Sequence, residues 1–255
     1  MKKLMLLILA GFGLHTVQGQ HQLVELWETK GLPVPESVLY VPGKKVLYVS
    51  LIDGDGAKKD GQGGLAILNT DGSIKDKNWV TGMDAPKGMG LYKDLLYVAD
   101  ITAVAVVDVV TGNEINRIEV PGSTFLNDVA VDDNGVVYVS DTREKKIFQL
   151  RNNKPTLFMD NVPNVNGLKV IGRDLFVLAG PELWKVDANK NKVVVAQGLA
   201  LGGDGLEPVG NGDFLVTCWG GLIYYIHADG KLETLLDVQG TLNTADLGYD
   251  SEKKI

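Results

Sequence analysis

One short phrase recurs five times along this 255-residue chain. It reads VLYVS at 46–50, LLYVAD at 95–100, VVYVSD at 136–141, DLFVLA at 174–179 and DFLVTC at 213–218. Each copy is a β-rich run bounded by Gly, Asp, Asn or Lys turns. A second apolar run follows each one: LAIL, VAVVDV, KIFQL, LWKV and LIYYI. Turn residues come next (TDG, TGN, NNK, ANK, ADG), then a further run such as RIEV, PTLFM or VVVA. Each unit therefore holds about four strands and no helical period. The residues that open the units are Glu36, Lys87, Asn127, Asn166, Asp204 and Ala245, at spacings of 51, 40, 39, 38 and 41. The long first interval holds a Gly-rich insertion, Asp53 to Gly64. Two places after each opener stands an apolar residue: Val38, Met89, Val129, Leu168, Leu206 and Leu247.

Units of about 40 residues with four antiparallel strands are the mark of a β-propeller. An immunoglobulin-like sandwich does not explain five copies of one phrase. The openers predict an all-β, six-bladed propeller of four-stranded antiparallel blades, one domain over residues 20–255. Leu23–Glu36 matches Leu232–Ala245 in its apolar spacing. That match predicts an outer strand at 23–31, added to the sixth blade to close the ring and hide an edge. After Ala245 only one inner strand and a turn precede Ile255. The repeat therefore predicts a last blade truncated at the C-terminus, short by roughly 15–25 residues.

Lys2 and Lys3, the apolar run Leu4–Leu14 and the small residues Val17 and Gly19 predict a secretory signal over 1–19. The run is too short to span a bilayer. The expected location is exported, periplasmic or extracellular, with no membrane span. A net charge of −7 argues against nucleic acid as a partner. The single cysteine, Cys218, excludes a disulfide framework and a cysteine-rich zinc site.

In a propeller the innermost strands line the central channel, so the six openers form a ring at one mouth. Strand alternation puts position one on the channel, position two in the blade and position three on the channel again. Two carboxylates and two amides in one ring offer the oxygen ligands that calcium or another hard divalent cation takes. The alternative is that polar residues open propeller strands merely to satisfy turns. Lys87 in the same ring can pair with Glu36 or Asp204, anchor an anionic substrate, or reach solvent. Trp219, beside Gly220 and Gly221, either walls the mouth or packs between blades. The insertion lacks the terminal Glu of a calcium loop and reads as a mobile loop on the mouth side. Asp100 and Asp141 end equivalent strands and read as turn caps. Cys218 reads as a buried residue with no histidine to activate it.

The segments VPESVLYVPGKKVLYVS, FLNDVAVDDNGVVYVSD, VPNVNGLKV and GGDGL resemble the senescence marker protein (regucalcin)/gluconolactonase family. Paraoxonases and strictosidine synthase-like proteins are more distant likenesses. The resemblance implies that Glu36, Asn166 and Asp204 bind a metal, with Asp204 also the general base. It implies that Asn127 lies near the substrate and adds a possible ligand. The activity so implied is hydrolysis of lactones or related esters by a calcium-type enzyme acting on a small molecule. The chain departs from the family at Phe125, where gluconolactonase-like members carry arginine. His21 and His227 open no inner strand, unlike the paraoxonase histidine pair. NHL-type propellers share the style of LNDVAVDDNGVVYVSDT and bind partners without catalysis, so a ligand-binding or protein-binding module is the alternative.

Overall fold

The computed structural model describes residues 21–255; the expected signal segment and its cut after Gly19 lie outside them. Twenty strands form five antiparallel sheets, each with its four strands in chain order. Blade one comprises β1 (Pro35–Val41), β2 (Val46–Leu51), β3 (Gly63–Asn69) and β4 (Ile74–Met83). Blade two comprises β5 (Pro86–Tyr92), β6 (Leu95–Asp100), β7 (Ala103–Asp108) and β8 (Asn113–Glu119). Blade three comprises β9 (Leu126–Val131), β10 (Val137–Asp141), β11 (Lys146–Arg151) and β12 (Lys154–Met159). Blade four comprises β13 (Val165–Ile171), β14 (Asp174–Ala179), β15 (Glu182–Val186) and β16 (Lys192–Gln197). Blade five comprises β17 (Leu206–Gly210), β18 (Asp213–Cys218), β19 (Leu222–Ile226) and β20 (Leu232–Asp237). No helix among the described residues is long and apolar enough to cross a membrane.

The recurrent phrase is the second strand of every blade. Both faces of that strand are covered, because it lies inside its sheet and the sheet lies between neighbours. Apolar layers accordingly fill the spaces between blades. Tyr48, Met83 and Met89 join Leu96 and Val98 between blades one and two. Val104 and Ala99 meet Leu126, Val139 and Phe148 between blades two and three. Ile147 and Phe158 meet Leu168 and Trp184 between three and four, and Leu178 and Leu183 meet Val216 and Tyr224 between four and five.

The expected count of six blades is wrong: the described residues form five. The unit that Ala245 was expected to open forms no strand, and residues 238–255 carry only turns and irregular chain. Nor does 23–31 form the expected outer strand. A strand persists only where its backbone groups find ladder partners, and neither segment supplies the other with a sheet to join. Apolar spacing alone could not reveal that. Leu23, Val24 and Leu26 are exposed rather than packed into a blade.

Both segments instead cross the seam between blades five and one. The backbone N of His21 donates to Glu233 Oε1 at 2.6 Å on the outer strand of blade five. The chain then runs to blade one, where the Trp27 ring lies on Gly72 and Thr29 Oγ1 donates to the Gly72 carbonyl at 2.6 Å. A Cβ at Gly72, whose φ is +83°, would fall within 2.3 Å of that ring. On the other side, Thr244 Oγ1 donates to the Cys218 carbonyl at 2.7 Å, Leu247 packs on Gly205, and Asp246 N donates to the Glu36 carbonyl at 3.2 Å.

Candidate functional site at the channel mouth

The start of the inner strand is irregular in blades one to four. Register shifts fall between Pro35 and Val38, Pro86 and Met89, and Val165 and Leu168. In blade three the shift falls between Val139 and Asp141, opposite Asn127 and Asp128. Such a bulge sets two residues against one and re-aims their side chains. In blades one, three and five an N–H at this point finds a hydroxyl near the end of the recurrent phrase. Ser37 N donates to Ser50 Oγ at 3.0 Å, Asp128 N to Ser140 Oγ at 2.9 Å and Gly205 N to Thr217 Oγ1 at 2.8 Å. Asp100 and Asp141 cap the approach to the inner strands: Asp100 accepts from Asp84 N and Ala85 N, and Asp141 from Thr124 N and Phe125 N.

The expected alternation is broken by the bulge at Asp128 and does not apply at Asp246, which lies in irregular chain. Position two does not turn into the blade where it carries an acid. Asp128 Oδ2 accepts from Leu168 N at 2.6 Å, and its Oδ1 presses on the face of Gly88 so closely that a Cβ there would clash at 2.2 Å. Asp246 accepts from the Ser37 hydroxyl and lies against Gly205. Both aspartates line a channel cavity of about 260 Å³ below the mouth. The sequence reading missed them. The available signal was an acid at 128 and 246, where the other repeats carry Gly88, Gly167, Gly205 or Ser37.

Asn166 and Asp204 meet directly, the amide Nδ2 donating to Asp204 Oδ1 at 2.5 Å. That leaves the Asn166 amide oxygen and Asp204 Oδ2 without a hydrogen bond among the described residues. Glu36 feels the charges of Asp204, Asp246 and Asp128. Its Oε2 is buried and has no hydrogen-bond partner among the described residues.

Burial pushes the Glu36 carboxyl well above its ordinary range; Asp204 and Asp246 add to the rise and Lys87 only partly offsets it. Burial, reinforced by Asp246, pushes Asp204 up to about 7 against the stabilising Asn166 hydrogen bond. Asp128 rises to about 6 by burial, opposed by the N–H groups of Leu168 and Val129. Asp246 is raised by burial and by the Asp128 charge. Four crowded carboxylates, two of them buried and two half-buried, disfavour one another's ionisation and favour any cation placed among them.

Lys87 belongs to the ring by position but points elsewhere. Its ammonium donates to the carbonyls of Gly56 and Ala85, each at 2.9 Å, and sits 4.5 Å from the Phe125 ring centroid. Arg143 lies 4.3 Å over the same ring. Phe125 is thus a shelf for two cations. Gly56 belongs to the insertion, which covers the mouth at blades one and two and is pinned there. Gly61 N donates to Asp84 Oδ1 at 3.1 Å, and Lys59 Nζ to Thr102 Oγ1 at 2.5 Å. Asn127 is buried, its Nδ2 donating to Thr142 Oγ1 at 3.0 Å. Ala245 adds no donor atom.

Beside Asn166 and Asp204 opens a cleft of about 500 Å³, walled by Trp219, Leu201, Thr142 and Asn164. Trp219 is 62% exposed there and does not pack between blades. Burial pushes the Cys218 thiol up to about 11, which leaves it an inert core group. His227 lies at the end of β19 on the outer side of blade five, away from the mouth.

No family model matches the chain, and no curated protein matches it significantly. Solved structures do match. The nidogen chain or laminin chain of a nidogen/laminin complex superposes with a TM-score of 0.70 at 13% identity, with 85% of each chain covered. These neighbours are propellers. A catalytically inactive virginiamycin B lyase from Staphylococcus aureus with quinupristin gives 0.60 at 12% identity, over 87% of this chain and 92% of that one. A streptogramin B lyase gives 0.62 at 9% identity, over 88% and 90%. At such identities the likeness establishes the fold alone. It lends the resemblance to the regucalcin family no support beyond the propeller.

Proposed function

We propose that this protein is a divalent-cation-dependent hydrolase of lactones or related esters, working at the channel mouth. The observation that carries the reading is the buried, unpartnered Glu36 Oε2 among mutually repelling carboxylates. A buried carboxylate oxygen without a partner is costly, and a cation relieves it. The donors are all oxygen, which fits calcium better than a softer metal. Glu36, Asn166 and Asp204 would hold the ion, with Asn127 at its edge. When bound, such an ion polarises an ester carbonyl and favours ionisation of water.

The chain's own residues do the rest. Asp204 Oδ1 is fixed by Asn166, which leaves Oδ2 to take the proton of the attacking water and return it to the departing alkoxide. Trp219 and Leu201 present apolar walls on which the substrate's carbon skeleton rests, one cleft away from Asp204. Asn166 orients the base. The test is calorimetric titration with calcium followed by a screen of lactones and aryl esters. The reading expects both binding and turnover; calcium binding with no turnover would leave a binding module. The likeness to the nidogen/laminin structure and the exposed Trp219 and Leu201 favour that second reading, a propeller that docks a protein on the mouth face.

Two results are expected here. In the presence of a chelator, stability should fall as pH rises from about 4 to about 7. Asp204 and Asp128 have folded-state values raised to about 7 and about 6, against unfolded values of about 4. The folded protein therefore binds more protons in that window, and its stability is fully present only below it. Calcium should flatten the slope, which thermal melts across the window measure. Trp219→Ala should raise KM about ten-fold with kcat within about two-fold, since a wall binds substrate and transition state alike. An unchanged KM in steady-state assays would remove Trp219 from the substrate cleft.

A further inference from the structure

The outer edge of blade five gathers three metal-ligating side chains far from the mouth. Tyr225 lies on β19, and His227, the first residue past its end, sets its ring 5.0 Å from the Tyr225 ring. Glu233 stands directly opposite Tyr225 on β20. His21 arrives from the segment that crosses the seam. Glu233 Oε2 lies 2.9 Å from His21 Nδ1 and 3.2 Å from His227 Nε2, and the three ligand atoms lie within 4.8 Å of one another.

We infer that His21, His227 and Glu233 form a zinc-type transition-metal site that clamps the 21–34 segment onto the last blade. Two imidazoles and one carboxylate are a donor set zinc takes, with a fourth position for water. Zinc–nitrogen bonds of about 2.0–2.1 Å imply tetrahedral edges of about 3.3 Å. The two observed nitrogen–oxygen separations are already close to that length, so metal entry needs little rearrangement. The metal displaces whatever proton the imidazoles share with the carboxylate.

The surroundings hold the ligands ready. The His21 ring stacks on Tyr225 at 3.8 Å between centroids and 14° between planes. The Tyr225 hydroxyl donates to Asp213 Oδ2 at 2.7 Å and fixes that platform. His227 is tilted against the same ring at 5.0 Å. Glu233 and His227 side chains are only 14% and 13% exposed, while His21 at 44% leaves an open side for water. A soft-to-borderline metal here and a hard one at the mouth occupy chemically distinct places.

The experiment uses tag-free, calcium-saturated protein and zinc alone as probe. Calorimetry is expected to find one zinc per chain at micromolar or tighter affinity. His21→Ala and His227→Ala are each expected to weaken it at least ten-fold, while Glu36→Gln leaves it unchanged. Zinc at about 100 times its dissociation constant should raise the melting temperature by roughly 5–10 °C, and His21→Ala should abolish the rise. His21 lies in an exposed segment, so its loss does not threaten the fold. No zinc binding in the micromolar range overturns the site. So does binding that survives both histidine substitutions.

Discussion

Asp204→Asn is expected to lower lactone turnover by about 10²-fold or more. The substitution leaves a single amide oxygen, shared between the Asn166 Nδ2 hydrogen bond and a cation. It removes the ability to take a proton near neutral pH, where burial and Asp246 have placed this carboxyl, and with it one negative charge. The cation-free variant should also melt higher than the parent, because one of four mutually destabilising carboxylates is gone. Single-turnover kinetics with calcium saturation checked beforehand measures the effect. Turnover within ten-fold of the parent would move the base elsewhere in the cluster. A higher melting temperature with unchanged turnover would separate the electrostatics of the ring from its catalysis.

The largest loss of stability should come from Asp141→Ala. This carboxylate is fully buried and accepts from Thr124 N at 2.6 Å, Phe125 N at 3.0 Å and Glu144 N at 2.9 Å. Its removal strands three backbone donors at the entrance to blade three. A cost of about 3–5 kcal/mol is expected, read as a lower urea midpoint at unchanged slope. Asp141→Asn keeps an acceptor and should lose less. Asp108 accepts two turn N–H groups in an exposed hairpin, so Asp108→Ala should cost only about 1 kcal/mol. Equal midpoints for Asp141→Ala and Asp108→Ala would refute the argument that burial sets the difference. The Asp141 variant should lose activity as well, since Phe125 positions Lys87 and Arg143 beside the mouth.

The second strands were plain in the sequence because the middle of their phrase is packed between neighbouring blades and is apolar in every copy. The openers were plain for a related reason: each precedes an apolar residue at fixed distance, so Asn166 and Asp204 could be placed side by side before their contact was seen. The direction of Lys87 was not legible. It depends on two carbonyls, one of them 31 residues away in an insertion with no counterpart in the other repeats. The part played by Asp128 was hidden because period-two alternation fails at a bulge, and that of Asp246 because it lies in irregular chain where no alternation holds. The hydroxyls that accept from N–H groups at the inner-strand starts, Ser50, Ser140 and Thr217, were in view near the end of the recurrent phrase. The blade count failed for a different reason. An opener-like position at Ala245 and an apolar match at 23–31 describe strands that need partners, and strand formation is a property of the pair.

The contacts across the seam have a consequence for the order in which the molecule assembles. Each blade packs on its predecessor, so four apolar layers can accumulate as the chain lengthens. The seam cannot. Ser37 with Asp246 spans 209 positions and His21 with Glu233 spans 212, and closing loops of that length is slow and entropically late. Glu36 stands on blade one and Asp204 beside blade five, so their encounter waits for the same event. An open arc has each carboxylate solvated and indifferent to the other; only the closed ring brings them into conflict. A cation held at the mouth, as proposed, would therefore report that folding has finished, and a chelator would act first on the last step of the pathway.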